Sequence, residues 1–142
     1  PIPLSLKQLD VYYNVERAGD EFIVSSEPHR WYEIRDRNTY YHRPGDSLYA
    51  FSAVFAPTTI STNLFHEWYR FNDVASIWEL KSKVPYSIKG GRDGGFRGFS
   101  LKKSFEPGEW RIDVVTERKQ LLGRKKFLIK SGPRPEIEKS AR

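Results

Sequence analysis

The segment Pro107-Gly108-Glu109-Trp110-Arg111-Ile112-Asp113-Val114-Val115-Thr116 alternates strictly from its tryptophan onward. Trp110, Ile112, Val114 and Thr116 fall on one side and Arg111, Asp113, Val115 and Glu117 on the other, the two-residue period of a half-buried strand. Just upstream, five of the ten residues in Gly90-Gly91-Arg92-Asp93-Gly94-Gly95-Phe96-Arg97-Gly98-Phe99 are glycine. Such a stretch reaches backbone conformations closed to residues with a Cβ. It reads as a shaped loop that carries Arg92, Asp93 and Arg97 beside a core strand. A short strand from Gly98 to Ser104 and a turn at Glu106-Pro107-Gly108 link the two. Downstream, a turn at Glu117-Arg118-Lys119 leads into a strand from Gln120 to Lys130, with Phe127 and Ile129 inward and Arg124, Lys126 and Lys130 outward.

Working toward the N-terminus, Ser76 to Val84 alternates Ile77, Glu79, Lys81 and Lys83 against Trp78, Leu80 and Ser82, and Pro85 reads as its end. Ile60 to Phe71 is a long strand with Leu64, His66 and Trp68 on one face and Phe65, Glu67, Tyr69 and Phe71 on the other. Ser47 to Ala56 is apolar enough to be covered on both faces, which predicts a central strand stopped by Pro57. Pro44-Gly45-Asp46 is a turn signal, as is Ala18-Gly19-Asp20 between Tyr12–Arg17 and Glu21–Ser25. The periodicity of Leu4 to Val15 is ambiguous, and Trp31 to Arg35 reads as a further short strand. Short alternating segments with regular turns and no helical period predict an all-β fold, an antiparallel β-sandwich of immunoglobulin-like build with seven to nine strands. Residues 1–130 form its single domain, 1–40 as N-terminal strands or a hairpin. Residues 131–142, opening with Ser131-Gly132-Pro133-Arg134-Pro135, read as a disordered polar tail.

Composition narrows the chemistry. With no Cys, thiol catalysis, thiolate metal sites and disulfides are excluded, and the redox compartment stays undetermined. No apolar run approaches the roughly 20 residues needed to span a bilayer as a helix. The lack of any Met, position 1 included, suggests a processed product or a piece of a longer protein. Of the net charge of +6, residues 120–142 hold +5. That basic end reads as a solvated strand edge with its tail, so no nucleic-acid partner is expected.

The remaining motifs are weak as catalytic signals. His29, His42 and His66 lack the i, i+2 or i, i+4 spacing of a shared metal, so no metal and no cofactor are expected, and His66 reads as a structural imidazole between Leu64 and Trp68. Glu67, Glu79, Asp93 and Glu109 are the carboxylates near aromatic segments, and their spacing pairs none for glycosidase chemistry. No serine stands in a nucleophile elbow. The glycine-rich stretch matches neither the P-loop nor the dinucleotide spacing. It is either a tight strand connection with Asp93 and Arg97 in local hydrogen bonds, or a binding surface in which Tyr86, Arg92, Asp93, Phe96, Arg97 and Phe99 stack on a sugar ring or a peptide. Those six residues are the candidate site.

From Pro1 to about Ile129 the chain resembles an uncharacterised bacterial family, a domain of unknown function commonly found at the C-terminal end of multi-spanning membrane proteins. The pieces that carry the resemblance are Pro3-Leu4-Ser5-Leu6, Pro44-Gly45-Asp46 leading into Tyr49-Ala50-Phe51, Val54-Phe55-Ala56-Pro57, Leu64-Phe65-His66-Glu67-Trp68, the glycine-rich stretch Gly90 to Phe99, Pro107-Gly108-Glu109-Trp110-Arg111 and Leu122-Gly123-Arg124. The resemblance implies an N-terminal transmembrane region absent from this chain and a domain displayed outside the cytoplasm, in the periplasm, on the inner membrane. It implies no activity. Two functions follow as expectations: a non-catalytic recognition or scaffolding module for a cell-envelope glycan or a protein partner, and an accessory or catalytic domain of an envelope enzyme acting on polysaccharide.

Overall fold

Alternation of apolar residues turns the central segments into strands that must bury one or both faces, and they do so in stacked sheets. The computed structural model describes residues 4–19, 21–28, 38–56, 60–90 and 96–142. Among them are eleven strands and no helix: β1 (Ser5–Tyr12), β2 (Asn14–Ala18), β3 (Glu21–Ser26), β4 (Thr39–His42), β5 (Ser47–Phe55), β6 (Ile60–Asn72), β7 (Ile77–Gly90), β8 (Phe96–Lys103), β9 (Gly108–Thr116), β10 (Leu121–Ser131) and β11 (Glu138–Ala141). They form a five-stranded sheet in the order β4-β10-β9-β6-β7, a three-stranded sheet β1-β5-β8 and a second three-stranded sheet β11-β3-β2.

The first two sheets face each other as the predicted sandwich. From the smaller sheet, Val11, Leu48, Ala50 and Val54 point inward, and Trp68, Trp110, Ile112, Val114, Phe127 and Ile129 meet them from the larger one. Trp68, Ile112 and Val114 have no exposed surface at all. Because side chains alternate across β5, Tyr49 and Phe51 point the opposite way. There Phe22, Val24 and Val15 from β2 and β3 cover them, with Tyr12 completing the cluster. Phe51 is therefore buried beneath the third sheet rather than between the first two. Phe55 lies half-buried under Lys7, and Phe65 half-exposed under Lys83, so neither enters the core.

Four features depart from the sequence expectations. Strands number eleven rather than seven to nine. The sandwich is not wholly antiparallel, since β4 pairs in parallel with β10 through Tyr40 and Ile129. The segment expected to be a disordered tail instead carries β11, whose antiparallel pairing with β3 runs from Glu138↔Ser26 to Ala141↔Ile23. Glu138 and Lys139 are polar and exposed and Ser140 is half-buried, so main-chain hydrogen bonds hold the strand where no apolar pattern announces it. Finally, β7 runs through Pro85 to Gly90. It is an edge strand, where a proline is tolerated at a position whose N–H would face away from the neighbour. The expected Trp31–Arg35 strand lies outside the described residues.

Candidate functional site

The described end of the glycine-rich stretch, from Phe96 onward, lies on β8 against the core. Arg92 and Asp93 lie outside the described residues. Tyr86 sits on β7 and Phe96, Arg97 and Phe99 on β8, all within regular strands rather than on an exposed loop. Phe96 is buried against Val54, Leu64 and Val114. Phe99 packs edge-on to Phe22 with ring centroids 6.0 Å apart. The Arg97 guanidinium lies 5.3 Å from the centre of the Phe22 ring and donates to the Arg142 carbonyl. A Cβ on Gly98 would stand 2.5 Å from the Tyr86 ring, so the absent side chain is what lets that ring lie across β8. The described members of the sequence-derived site therefore take part in building the fold.

Tyr86 belongs to a buried polar bridge between the two main sheets. His66 Nε2 lies 2.8 Å from Ser52 Oγ, and His66 Nδ1 lies 2.8 Å from Ser100 Oγ. The Trp68 indole N–H donates to Ser100 Oγ at 3.1 Å, and the Tyr86 hydroxyl pairs with Ser52 Oγ. Burial pushes His66 down from 6.5 to about 3 and Tyr86 up to about 12. None of the four partners carries a charge that would hold an imidazolium, so His66 is a neutral imidazole sealed from solvent. It resembles a nucleophile-and-base pair in composition only, because no substrate can reach it.

The outward face of the five-stranded sheet is closed by its own side chains. Asp113 is buried there between Arg111 and Arg124, the latter bonding it at 2.8 and 3.1 Å. That bond raises the pKa of Arg124 further. The Arg111 guanidinium covers Tyr69 at 4.3 Å and Trp78 at 4.9 Å, and Lys126 Nζ lies 5.9 Å from the Trp78 ring. The basic stripe read from β10 is thus partly neutralised in place.

An open cleft of about 350 Å³ lies at the end of the sandwich where β1 bends into β2 and β4 turns into β5. Tyr13, Asn14, Arg43, Asp46, Tyr49 and Arg134 line it, with Gly45 and Ser47 between. The turn Arg43–Asp46 is closed by an Asp46 N–H to Arg43 carbonyl bond of 3.0 Å, and Gly45 takes a φ of 94° that favours glycine. The Asp46 carboxylate accepts the Arg43 N–H at 3.0 Å. Beneath the turn, buried His42 lies 3.0 Å from the Asp46 carbonyl, which can only accept, so Nε2 carries the proton. Tyr13 fixes the floor by accepting the Tyr41 N–H at 3.0 Å, and burial raises its pKa. Arg134 stacks on the Tyr13 ring at 5.3 Å and donates to the Ser47 carbonyl at 3.3 Å. Tyr49 leans on Phe99, with centroids 6.0 Å apart. The result is a hydrogen-bonding hollow lined by two tyrosines, two guanidinium groups and one carboxylate.

Sequence reasoning missed this cleft. Arg43 and Tyr49 flank the Pro44-Gly45-Asp46 turn that it did recognise, and that turn was the available signal. Arg134 could not be anticipated, because its segment showed no reason to be ordered. Among the described residues no cluster of His, Cys, Asp or Glu could hold a metal ion, and no helix is long and apolar enough to cross a membrane.

Among solved structures the chain is similar to the alkylpurine DNA glycosylase AlkC of Pseudomonas fluorescens bound to DNA containing an abasic-site analogue. The TM-score is 0.53 at 8% identity, over 92% of this chain and 31% of that one, a likeness of fold alone. It is also similar to an immunoglobulin-like protein of Pseudomonas aeruginosa (TM-score 0.45, 15% identity, covering 89% of this chain and 96% of that one). A β-glucosidase of Listeria innocua matches at a TM-score of 0.42 and 14% identity, over 80% of this chain and 16% of the enzyme. The chain thus spans less than a third of the glycosylase and about a sixth of the glucosidase. No curated protein matches it. Residues 61–129, just under half of the chain, match a family described as a protein of unknown function (DUF2914), so that this stretch is similar to an uncharacterised domain family.

Proposed function

We propose that the protein is a non-catalytic recognition module that binds a cell-envelope glycan in the cleft between the β1–β2 bend and the β4–β5 turn. The observation that carries this reading is the cleft itself: a half-buried Tyr49 beside Asn14, Arg43, Asp46 and Arg134, on a turn pinned by His42. Sugars are bound by an aromatic face for the ring and by fixed polar groups for the hydroxyls, and preformed sites of this size suit a few sugar units. Catalysis on polysaccharide is disfavoured by the lining. Glycoside hydrolysis generally uses two facing carboxyl groups, and Asp46, the one carboxylate here, is engaged by the Arg43 N–H. We further place the domain outside the cytoplasm, attached through a membrane-spanning region of a longer protein, a reading supported by the sequence resemblance given above.

Affinity electrophoresis of the purified domain in gels containing envelope polysaccharides tests the binding. Retardation is expected for wild type and is expected to vanish for Tyr49→Ala while its thermal transition stays cooperative. Equal mobility of wild type with and without every polysaccharide offered would refute the reading.

A further inference from the structure

We infer that the cleft selects an acidic glycan, one whose sugar rings bear carboxylates, with Arg43 and Arg134 as the carboxylate-binding residues. This rests on the glycan reading and adds the class of ligand. Two guanidinium groups and one carboxylate line the cleft, so its own charge is positive. Asp46 does not cancel Arg43. The pair stands at 3.9 Å, the Arg43 side chain is 61% exposed, and Asp46 Oδ2 is already taken by the Arg43 main-chain N–H at 3.0 Å. A loose, exposed pair of this kind is weak, and its guanidinium is free to turn onto a ligand acid.

Arg134 is prepared in a different way. The centre of its guanidinium lies 5.3 Å from the Tyr13 ring centroid, and its Nη2 bond to the Ser47 carbonyl uses one of five N–H donors. A guanidinium anchored in this way with donors to spare fits a carboxylate with two parallel bonds, a geometry that a lysine ammonium cannot reproduce. Arg43 comes from the rigid β4–β5 turn and Arg134 from the segment after β10, so an acid between them would be gripped from two sides. Tyr49 supplies the adjoining face for the ring that carries the acid.

The probe is polygalacturonate, compared with its methyl ester, which has the same backbone without charge, and with dextran sulfate, which is anionic but carries sulfates. Isothermal titration is expected to give at least a tenfold preference for polygalacturonate over the ester, weakening as salt is raised. Arg43→Gln and Arg134→Lys should each lower polygalacturonate affinity about tenfold and ester affinity by much less, so that the preference for the acid falls. The lysine variant keeps the charge and loses the planar fork, so undiminished binding by it overturns the assignment of Arg134. Equal binding of the ester overturns the acidic class while the glycan reading stands. Equal binding of dextran sulfate overturns carboxylate recognition in favour of plain charge attraction. Failure of both galacturonate polymers and of every envelope polysaccharide overturns the two readings together.

Discussion

Lowering the pH from 7.5 to 5 should destabilise this protein from the inside, through one buried imidazole. His66 has a folded pKa of about 3 against an ordinary 6.5, because burial disfavours its charged form. Between those two values the unfolded chain binds a proton that the folded one does not, so stability is full above pH 6.5 and is lost as pH falls toward 3. The limiting slope is about 1.4 kcal/mol per pH unit, and for the step from pH 7.5 to 5 the loss integrates to about 2 kcal/mol. Most carboxylates titrate below that window, which isolates histidine. The assay is urea unfolding followed by tryptophan fluorescence at several pH values, with Trp68 and Trp110 as buried reporters. His66→Gln removes the titrating group and retains an amide to bond Ser52 or Ser100. Its stability at pH 7.5 should be lower than wild type, but it should lack about 2 kcal/mol of the further acid-induced loss. Parallel pH profiles for the two proteins would refute the argument, since they would mean that His66 is either solvated in the folded state or already neutral in the unfolded one.

Two further substitutions separate fold from recognition within the glycine-rich stretch. Gly98→Ala should cost about 1–3 kcal/mol, as overpacking does, because its Cβ meets a Tyr86 ring held in place by Ser52, and a thermal melt checks it. Arg97→Ala removes the guanidinium from Phe22 and from the Arg142 carbonyl, so its unfolding free energy in urea should fall by about 0.5–2 kcal/mol while polysaccharide retardation is unchanged.

Strands with a strong two-residue period were legible in the sequence, and so was the burial of Trp110, Ile112, Val114, Phe127 and Ile129, whereas the choice between Phe65 and Trp68 stayed open. What escaped was set by long-range pairing. On β7 the alternation put Trp78, Leu80 and Ser82 on one face, yet the register slips at Lys81, so that Ser82 opposes inward Trp68 whereas Leu80 and Trp78 oppose Tyr69 and Phe71 on the outer face. A single inserted residue reverses every later side chain, and no local pattern marks it. The short β4 and the polar β11 owe their existence to partners far along the chain. Of the candidate site, Arg92 and Asp93 lie outside the described residues and the other four members sit on β7 and β8. Glycines and aromatics close together in sequence suggest a displayed loop, but here they let Tyr86 and Phe96 interlock across the sheets.

The cleft and the scaffold occupy different parts of the sequence. Residues 61–129, the portion similar to the uncharacterised family, contain His66, Trp68, Tyr86, Gly98, Ser100 and Trp110, which bridge and fill the sandwich. Every side chain lining the cleft falls outside that portion, on 13–14, 43–49 and 134. Those three segments meet only because β4 docks on β10 and the chain beyond β10 returns past Ser47 to pair with β3. Folding of the matched portion therefore does not by itself specify a ligand. In the glycan reading proposed above, specificity would rest on the two arginines and the tyrosine that the flanking segments bring to the end of the sandwich, where substitution can change what is bound without opening the core.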